Sequence, residues 1–299
     1  MQASVALIAG CGTQSDLIIG RNTTALPSAG SSNGNAGSAG QAAMSAGGEA
    51  GLTSVPDMPD CGADAATPPD SLLHRYSFDG TGTQAKDSVG MADGQLYDIP
   101  QAGAVPAPGP GAVLDGAGQL VLDGTGYVDL PNGLISKWQD ITVVTWLKWS
   151  NGAGYQRIFD FGLGGDGEDQ PNTNKPVQSY FAVSPWGGGS RLQLLSKGPA
   201  SGEVRLQSTG ELKGGLPHQI AAVLVGSSHV ELYLDAVSLG RAEITFALSD
   251  IQDLNDWLGR SQYALDPPFA GSIDEFRIYG RELTACEIAA LNVAGPNAL

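Results

Sequence analysis

The chain has 299 residues, with 31 acidic against 15 basic side chains and a formal charge of −16. That balance excludes the basic footprint of a nucleic-acid binder and the polybasic patch that attracts anionic lipid. It leaves solubility, or carboxylates that hold a hard cation such as calcium, as uses of the excess acid.

No apolar run reaches the ~20 residues of a membrane-spanning helix. Residues 4–11, SVALIAGC, form a short apolar run. Its Ile8-Ala9-Gly10-Cys11 resembles a bacterial lipobox, with Cys11 as the residue to be lipidated. Only Met-Gln-Ala precedes the run, and no Lys or Arg supplies the positive segment of a signal peptide. Residues 12–70 include LPSAGSSNGNAGSAGQAAMSAGGEAG, too poor in apolar side chains to offset the entropy of ordering. They are expected to be a flexible tether. Residues 1–11 as signal-like segment, 12–70 as tether and 71–295 as folded domain make an exported, lipid-anchored envelope protein, touching membrane only through its anchor.

From Leu72 onward, short alternating runs are separated by Gly, Pro and Asn turns, the pattern of a sandwich or barrel. LLHRYSF (72–78) opens, and QLVLDGTGYVDL (119–130) is a hairpin turning at Asp123-Gly124-Thr125-Gly126. DITVVTWLKW (140–149) is a long strand, followed by YQRIFDFG (155–162), SYFAVS (179–184), RLQLLS (191–196), EVRLQS (203–208) and HQIAAVLV (218–225). HVELYLDAVSLG (229–240) is a second hairpin, and DWLGRS (256–261) and SIDEFRIY (272–279) close the series. One helix is predicted at the end, where Thr284 and Glu287 form a capping box ahead of IAALNVA. The sum is an all-β, antiparallel β-sandwich of about eleven to thirteen strands with one short C-terminal helix. Strict alternation puts Asp274 on one face with Phe276 and Ile278, and Ile273, Glu275, Arg277 and Tyr279 on the other.

The order LHRYSFDG, LVLDGTGYVDLPNG, ITVVTWLKW, RIFDFG, WLGRS and GSIDEFRIYGRELTACEIAAL resembles the laminin G-like jelly rolls of the concanavalin A-like lectin/glucanase superfamily, from about Leu72 to Ala294. The resemblance implies two antiparallel sheets, one of them concave, and a role in binding carbohydrate or protein at the surface. It also implies a structural calcium with Asp274 as main ligand, helped by the segments around Phe78-Asp79 and Asp123-Gly124. The alternative partner for Asp274 is an arginine, Arg75 or Arg260, or a set of loop amides. A second candidate cation site is the loop GLGGDGEDQPNTNK, where Asp166, Glu168, Asp169, Asn172 and Asn174 crowd together. It lacks the order of an EF-hand, and a solvated, mobile insertion is the preferred reading.

If Cys11 is lipidated, Cys61 and Cys286 remain as a pair, and the family's adjacent chain ends make a disulfide between them the expectation; the alternative is two free thiols. Such a bond persists in exported proteins and, closing so long a loop, is worth ~4–5 kcal/mol in the entropy model. Of the five tryptophans, Trp186 in SPWGGGS is the one expected to be exposed for ligand stacking, with Tyr155 and Tyr263 behind it. Trp257 and at least one of Trp146 and Trp149 are expected in the core. His74, His218 and His229 read as half-buried polar positions on strands. The superfamily's glucanases carry a Glu-x-Asp-x-x-Glu strand, and none is present here. The expectation is a non-catalytic, calcium-stabilised surface module that binds glycan. The alternatives are a protein-adhesion domain or, more remotely, a glycoside hydrolase with an unrecognised acid pair.

Overall fold

The computed structural model describes Cys61 and residues 70–100, 106–171, 173, 175–187 and 189–298. Cys11, nearly all of the expected tether, Asn172 and Asn174 lie outside the described residues.

Sixteen strands follow in chain order among these residues. They are β1 (Leu72–Tyr76), β2 (Gln84–Ala85), β3 (Gly94–Asp98), β4 (Ala112–Leu114), β5 (Leu120–Asp123), β6 (Gly126–Leu130), β7 (Asp140–Trp149) and β8 (Phe159–Leu163). The rest are β9 (Ser179–Ser184), β10 (Gln193–Lys197), β11 (Val204–Gln207), β12 (Pro217–Val225), β13 (His229–Leu234), β14 (Val237–Glu243), β15 (Asn255–Leu258) and β16 (Ala270–Tyr279), before helix α1 (Ala285–Ala294). The three beyond the expected thirteen are β2, β3 and β4, of two, five and three residues. Runs so short carry too little alternation to announce themselves; they are strands because a neighbour pairs with them.

All pairing is antiparallel. One sheet runs β14-β13-β12-β7-β16-β5-β4, with β1 also on β16; the other runs β11-β10-β9-β8-β15-β6-β3-β2. Their inner faces interleave Leu120, Leu122, Val143, Leu147, Phe276 and Ile278 with Val128, Phe159, Phe161, Phe181, Leu194 and Leu258 in one buried core, as packed sheets do. Trp149 joins this core. Trp146 is buried on the opposite face of the first sheet with Val144, Ala221, Val223 and Tyr279, under Ile288 and Leu291 of α1. Both tryptophans of β7 are therefore buried, one on each side of its sheet.

The alternation along β16 breaks at Asp274. Ile273 faces Leu147 of β7 and Glu275 faces Trp146, so Asp274 is the extra residue of a β-bulge. The bulge falls where β16 exchanges partners, pairing with β5 through Ile273 and with β1 from Phe276. The core face of the strand thus carries Ile273, Phe276 and Ile278, while Asp274 is half-exposed at the rim. This corrects the strict alternation. The fully buried carboxylate is Glu275, whose Oε1 accepts from Arg75 Nε at 2.5 Å and Arg277 Nε at 2.6 Å. Arg277 Nη2 in turn donates to the carbonyls of Pro296 and Ala298, and its guanidinium lies 4.9 Å from the Trp146 ring. A Cys61–Cys286 disulfide, with Cα atoms 5.3 Å apart, joins the beginning of the described chain to α1.

Candidate functional site

The outer face of the first sheet is closed by α1. Among the described residues no helix lies over the outer face of the second sheet, and its side chains are of another kind. Register places Asp129 of β6, Trp257 of β15 and Asp160 of β8 in one row across three strands. Trp257 alternates with the core residue Leu258, and Asp129 with Val128 and Leu130. Two strand spacings put the ends of this row about 10 Å apart.

Arg260 lies over the row. Gly259, whose φ of 87° is disfavoured for residues with a side chain, turns the chain after β15. A Cβ there would meet Leu122 Cδ1 at 2.6 Å, so the position excludes a side chain as well. The turn stacks the Arg260 guanidinium 4.2 Å from the Trp257 ring centre and 4.5 Å from that of Tyr127, within cation–π range. Arg260 is buried, and its Nη1 has no hydrogen-bond partner among the described residues. Trp257 Nε1 donates to Asp129 Oδ1 at 3.0 Å. The other Asp129 oxygen makes no hydrogen bond to the described residues. Burial, reinforced by the nearby Asp169, pushes the Asp129 carboxyl up to about 6. Half-exposed Tyr97 stacks on Tyr127 at 5.8 Å and extends the aromatic floor. A carboxylate oxygen and a buried guanidinium nitrogen, each without a partner among the described residues, and an aromatic surface therefore share one face.

The acidic loop forms one wall of this face. Asp169 N donates to Asn255 Oδ1, and Asn255 Nδ2 donates to the Gly167 carbonyl and to Gln262 Oε1. The loop's acids diverge. Asp166 accepts from the Thr173 amide and hydroxyl, and Glu168 accepts from Asn132. Asp169 is raised by burial first and then by Glu168, while the Arg260 charge acts in the opposite sense. At the far end of the row Asp160 is sealed. Its Oδ2 accepts from Gln262 N at 3.0 Å and lies 3.4 Å from Arg157 Nε, and burial pushes its carboxyl up to about 7.

Of the three aromatics expected as ligand contacts, Tyr263 packs against the outer face of this sheet, while Trp186 packs against the core between the sheets. Tyr155 is exposed and donates its amide to the Trp186 carbonyl at 2.6 Å, so these two are neighbours. Trp186 is half-buried, edge-on to Trp149 at 5.9 Å. Tyr263 packs edge-on to Tyr180, 6.1 Å away. Arg157 links the groups, donating to the Tyr155 carbonyl and pairing with Asp266 at 2.9 Å. Sequence reasoning missed Asp129, Tyr97 and Arg260 as a set, because three separate segments supply them. Trp257 is buried as expected, but on the outer face rather than in the core between the sheets.

At the opposite sheet, Asp79 and Asp274 each neighbour the Gly118-Gln119 segment. Phe78 puts its ring in the core while its φ of 53° turns the chain to Asp79. Gly118 leaves a cradle there: a Cβ would sit 3.3 Å from Asp79 Oδ1 and 3.9 Å from the Ser77 carbonyl. The next residue, Gln119, donates its side-chain amide to Asp274 Oδ1. Burial raises the Asp274 carboxyl, and the charge of Asp115 raises it further. Asp123 and Gly124 are elsewhere. Asp123 faces Ala270 on the ladder, and its Oδ1 accepts from the Thr125 amide and hydroxyl. Neither arginine suggested for Asp274 pairs with it, since Arg75 binds Glu275 and Arg260 lies on the other sheet. His229, Glu231 and Glu282 also bring ligand atoms within 4.8 Å of one another. The Arg241 guanidinium already bridges both glutamates, at 2.8 and 3.2 Å, so this group carries its own cation.

In fold, the chain is similar to domain 4 of AbnA, a GH43 extracellular arabinanase from Geobacillus stearothermophilus, in complex with arabinotriose. The TM-score is 0.56 at 23 % identity, covering 73 % of this chain and 97 % of that one. It is similar to Trypanosoma rangeli sialidase in complex with the inhibitor DANA, with TM-score 0.55, 15 % identity and 80 % of this chain covered, which is 35 % of the sialidase chain. It is also similar to the binding domain of botulinum neurotoxin DC in complex with rat synaptotagmin II, with TM-score 0.51, 12 % identity, and 75 % and 51 % of the two chains covered. These identities establish a shared fold alone. No curated protein matches the sequence. Residues 122–289, more than half of the chain and almost all of both sheets' central strands, match the laminin G-type family model of the concanavalin A-like lectin/glucanases superfamily. The chain belongs to that superfamily.

Proposed function

We propose that this protein is a non-catalytic carbohydrate-binding jelly roll that takes its glycan on the outer face of the second sheet. One observation carries the reading: buried Arg260 has an unpartnered Nη1 beside the half-open Asp129 carboxylate and Tyr97. A buried charged donor without an acceptor is costly, and a ligand oxygen would relieve it. Neighbouring sugar hydroxyls both donate and accept, so an Asp–Arg pair can read them together, while an aromatic face takes the apolar side of the ring. The arabinotriose in the similar arabinanase domain supports the same class of ligand. Asp160 is 1 % exposed beneath Arg157 and Gln262, so a paired-carboxylate hydrolysis across this row is not part of the proposal.

We place a structural calcium at the Asp274 rim. Asp274, Asp79 and the Ser77 carbonyl are the groups that would hold it, and mixed carboxylate and carbonyl oxygen suits a hard cation. The Gly118 cradle and the partial burial of Asp274, which Gln119 and Lys148 only partly offset, support that fit. When bound, the ion would neutralise the two carboxylates and tie the end of β1 to the bulge of β16. The Cys61–Cys286 bond supports an exported protein, displayed through Cys11 on its glycine-rich segment.

The test is a glycan and polysaccharide array, read in calcium and again in EDTA, with Asp129→Asn as control. Specific binding lost in the variant supports the reading, and a blank array on folded protein overturns it. A protein ligand is the second reading, favoured by Leu265, 98 % exposed on the loop that carries Tyr263 and Asp266. A surface pull-down on the same protein would then decide for it.

A further inference from the structure

We propose a second ligand site, at the end of the sandwich, for a pyranose that carries a carboxylate. The site stands apart from the sheet face and does not rest on the reading given for it. Three segments meet there: the connection from β6 to β7, the turn from β12 to β13, and the short turn at Leu248–Asp250. They enclose a cleft of about 410 Å³, within the size range of small-ligand sites.

The walls are fixed before any ligand arrives. Gly226 N donates to the Gln139 carbonyl at 3.2 Å, and Ser227 N to the Phe246 carbonyl at 2.8 Å, joining the segments through their backbones. Three aspartates fasten the same segments by accepting backbone amides. Asp253 takes those of Ile135 and Ser136 at 2.7 and 2.9 Å, Asp140 takes that of Gly226 at 3.1 Å, and Asp250 takes that of Ala247 at 2.8 Å. The carboxylates near the cleft are thus occupied with its frame, and none lines it.

What lines it is chemistry for a sugar. Trp138 supplies an aromatic surface packed against the core, and its Nε1 has no acceptor among the described residues. The hydroxyls of Ser136, Ser227 and Ser249 and the amide of Gln139 make no hydrogen bond to the described residues. Lys137 is the one charged side chain in the lining, in a chain of net charge −16. Its Nζ lies 6.0 Å from the Trp138 ring centre, and it forms no salt bridge among the described residues. A ring stacked on Trp138 places its hydroxyls among the serines and its carboxylate within reach of an exposed, flexible ammonium. A neutral sugar would leave the lysine unused.

The test uses the full chain, labelled with ¹⁵N, and the indole N–H signal of Trp138 identified by its loss in Trp138→Phe. Sodium galacturonate and galactose are titrated at constant ionic strength. The expected result is a saturable shift with galacturonate and about tenfold weaker binding of galactose, the scale of one charge-assisted hydrogen bond. Lys137→Gln should bring galacturonate down to the level of galactose, and Trp138→Ala should abolish both. Asp129→Asn should leave this titration unchanged, which separates the site from the sheet face. The proposal is overturned by an absence of saturable shift up to the sugar's solubility, by binding that survives Trp138→Ala in folded protein, or by a galacturonate affinity in Lys137→Gln unchanged from wild type.

Discussion

The two sheets share one core but finish their outer faces in opposite ways. The first sheet's outer face carries Val144, Trp146, Ala221, Val223 and Tyr279, and α1 closes it with Ile288 and Leu291. Its fully buried carboxylate, Glu275, sits between two arginines, and its other buried carboxylate, Glu231, pairs with Arg241. The second sheet's outer face carries Tyr97, Asp129, Trp257 and Asp160, and a buried arginine stacks on it with a donor to spare. On the first face the charged groups are paired off, while Trp146 Nε1 and Gln219 Oε1 find no partner among the described residues. On the second the charged groups are left partly unpaired, which costs stability and keeps groups available to a ligand. In the function proposed above, stability is concentrated on one side of the molecule and recognition on the other.

This contrast can be broken most strongly at Glu275. Glu275→Gln leaves the buried Arg75 and Arg277 without their anion, and the expected loss is about 3–5 kcal/mol, read as a lower urea midpoint. A change within 1 kcal/mol of wild type would mean that the face is not held by this ion pair. Next is the clasp. Cys286→Ser should destabilise the domain by about 2–5 kcal/mol, and reduction should do the same to wild type but nothing further to the variant.

The opposite sign is expected on the second face. The Asp129 carboxyl is raised to about 6, above the ordinary ~3.9 of an aspartate. Between those values the folded state binds more protons than the unfolded state, so stability falls as pH rises through that window. Asp160, raised to about 7, acts in the same direction over a wider window. Asp129→Asn should therefore gain about 1 kcal/mol over wild type at pH 8, after allowance for its partial exposure, and nothing at pH 3. It should lose glycan binding as it gains stability. Glu287, on the first face, behaves conversely. Arg281 first, with the Thr284 amide and hydroxyl, holds it down to about 2, so its contribution is present above the ordinary glutamate value and is lost as pH falls toward 2. Parallel denaturation curves at pH 3, 5 and 8 for wild type and Asp129→Asn would expose both slopes.

The smallest effect sharpens the account of α1. Thr284 Oγ1 accepts from Glu287 N at 3.2 Å while Glu287 Oε2 accepts from Thr284 N at 2.8 Å. Thr284→Ala should cost about 1 kcal/mol, and a larger loss would mean that this cap also anchors the disulfide. At the other rim, a melting midpoint that rises with calcium and falls with EDTA would support an ion at Asp274, and identical midpoints would exclude it.

By itself the sequence determined the antiparallel sandwich, most strands, the α1 cap and the burial of at least one of its two β7 tryptophans, because period-two alternation and capping chemistry act over a few residues. It also brought Cys61 and Cys286 together through the family resemblance, before the fold placed them 5.3 Å apart. Only the tertiary structure decided which acid on β16 is buried. One bulge residue shifts every later side chain to the other face, and nothing local distinguishes Asp274 from Glu275. Only the tertiary structure assembled Tyr97, Asp129, Trp257 and Arg260, which come from strands far apart in the chain and meet through register alone. Local signals specify elements, whereas a binding face is set by which strands lie side by side and by what the rest of the chain leaves uncovered.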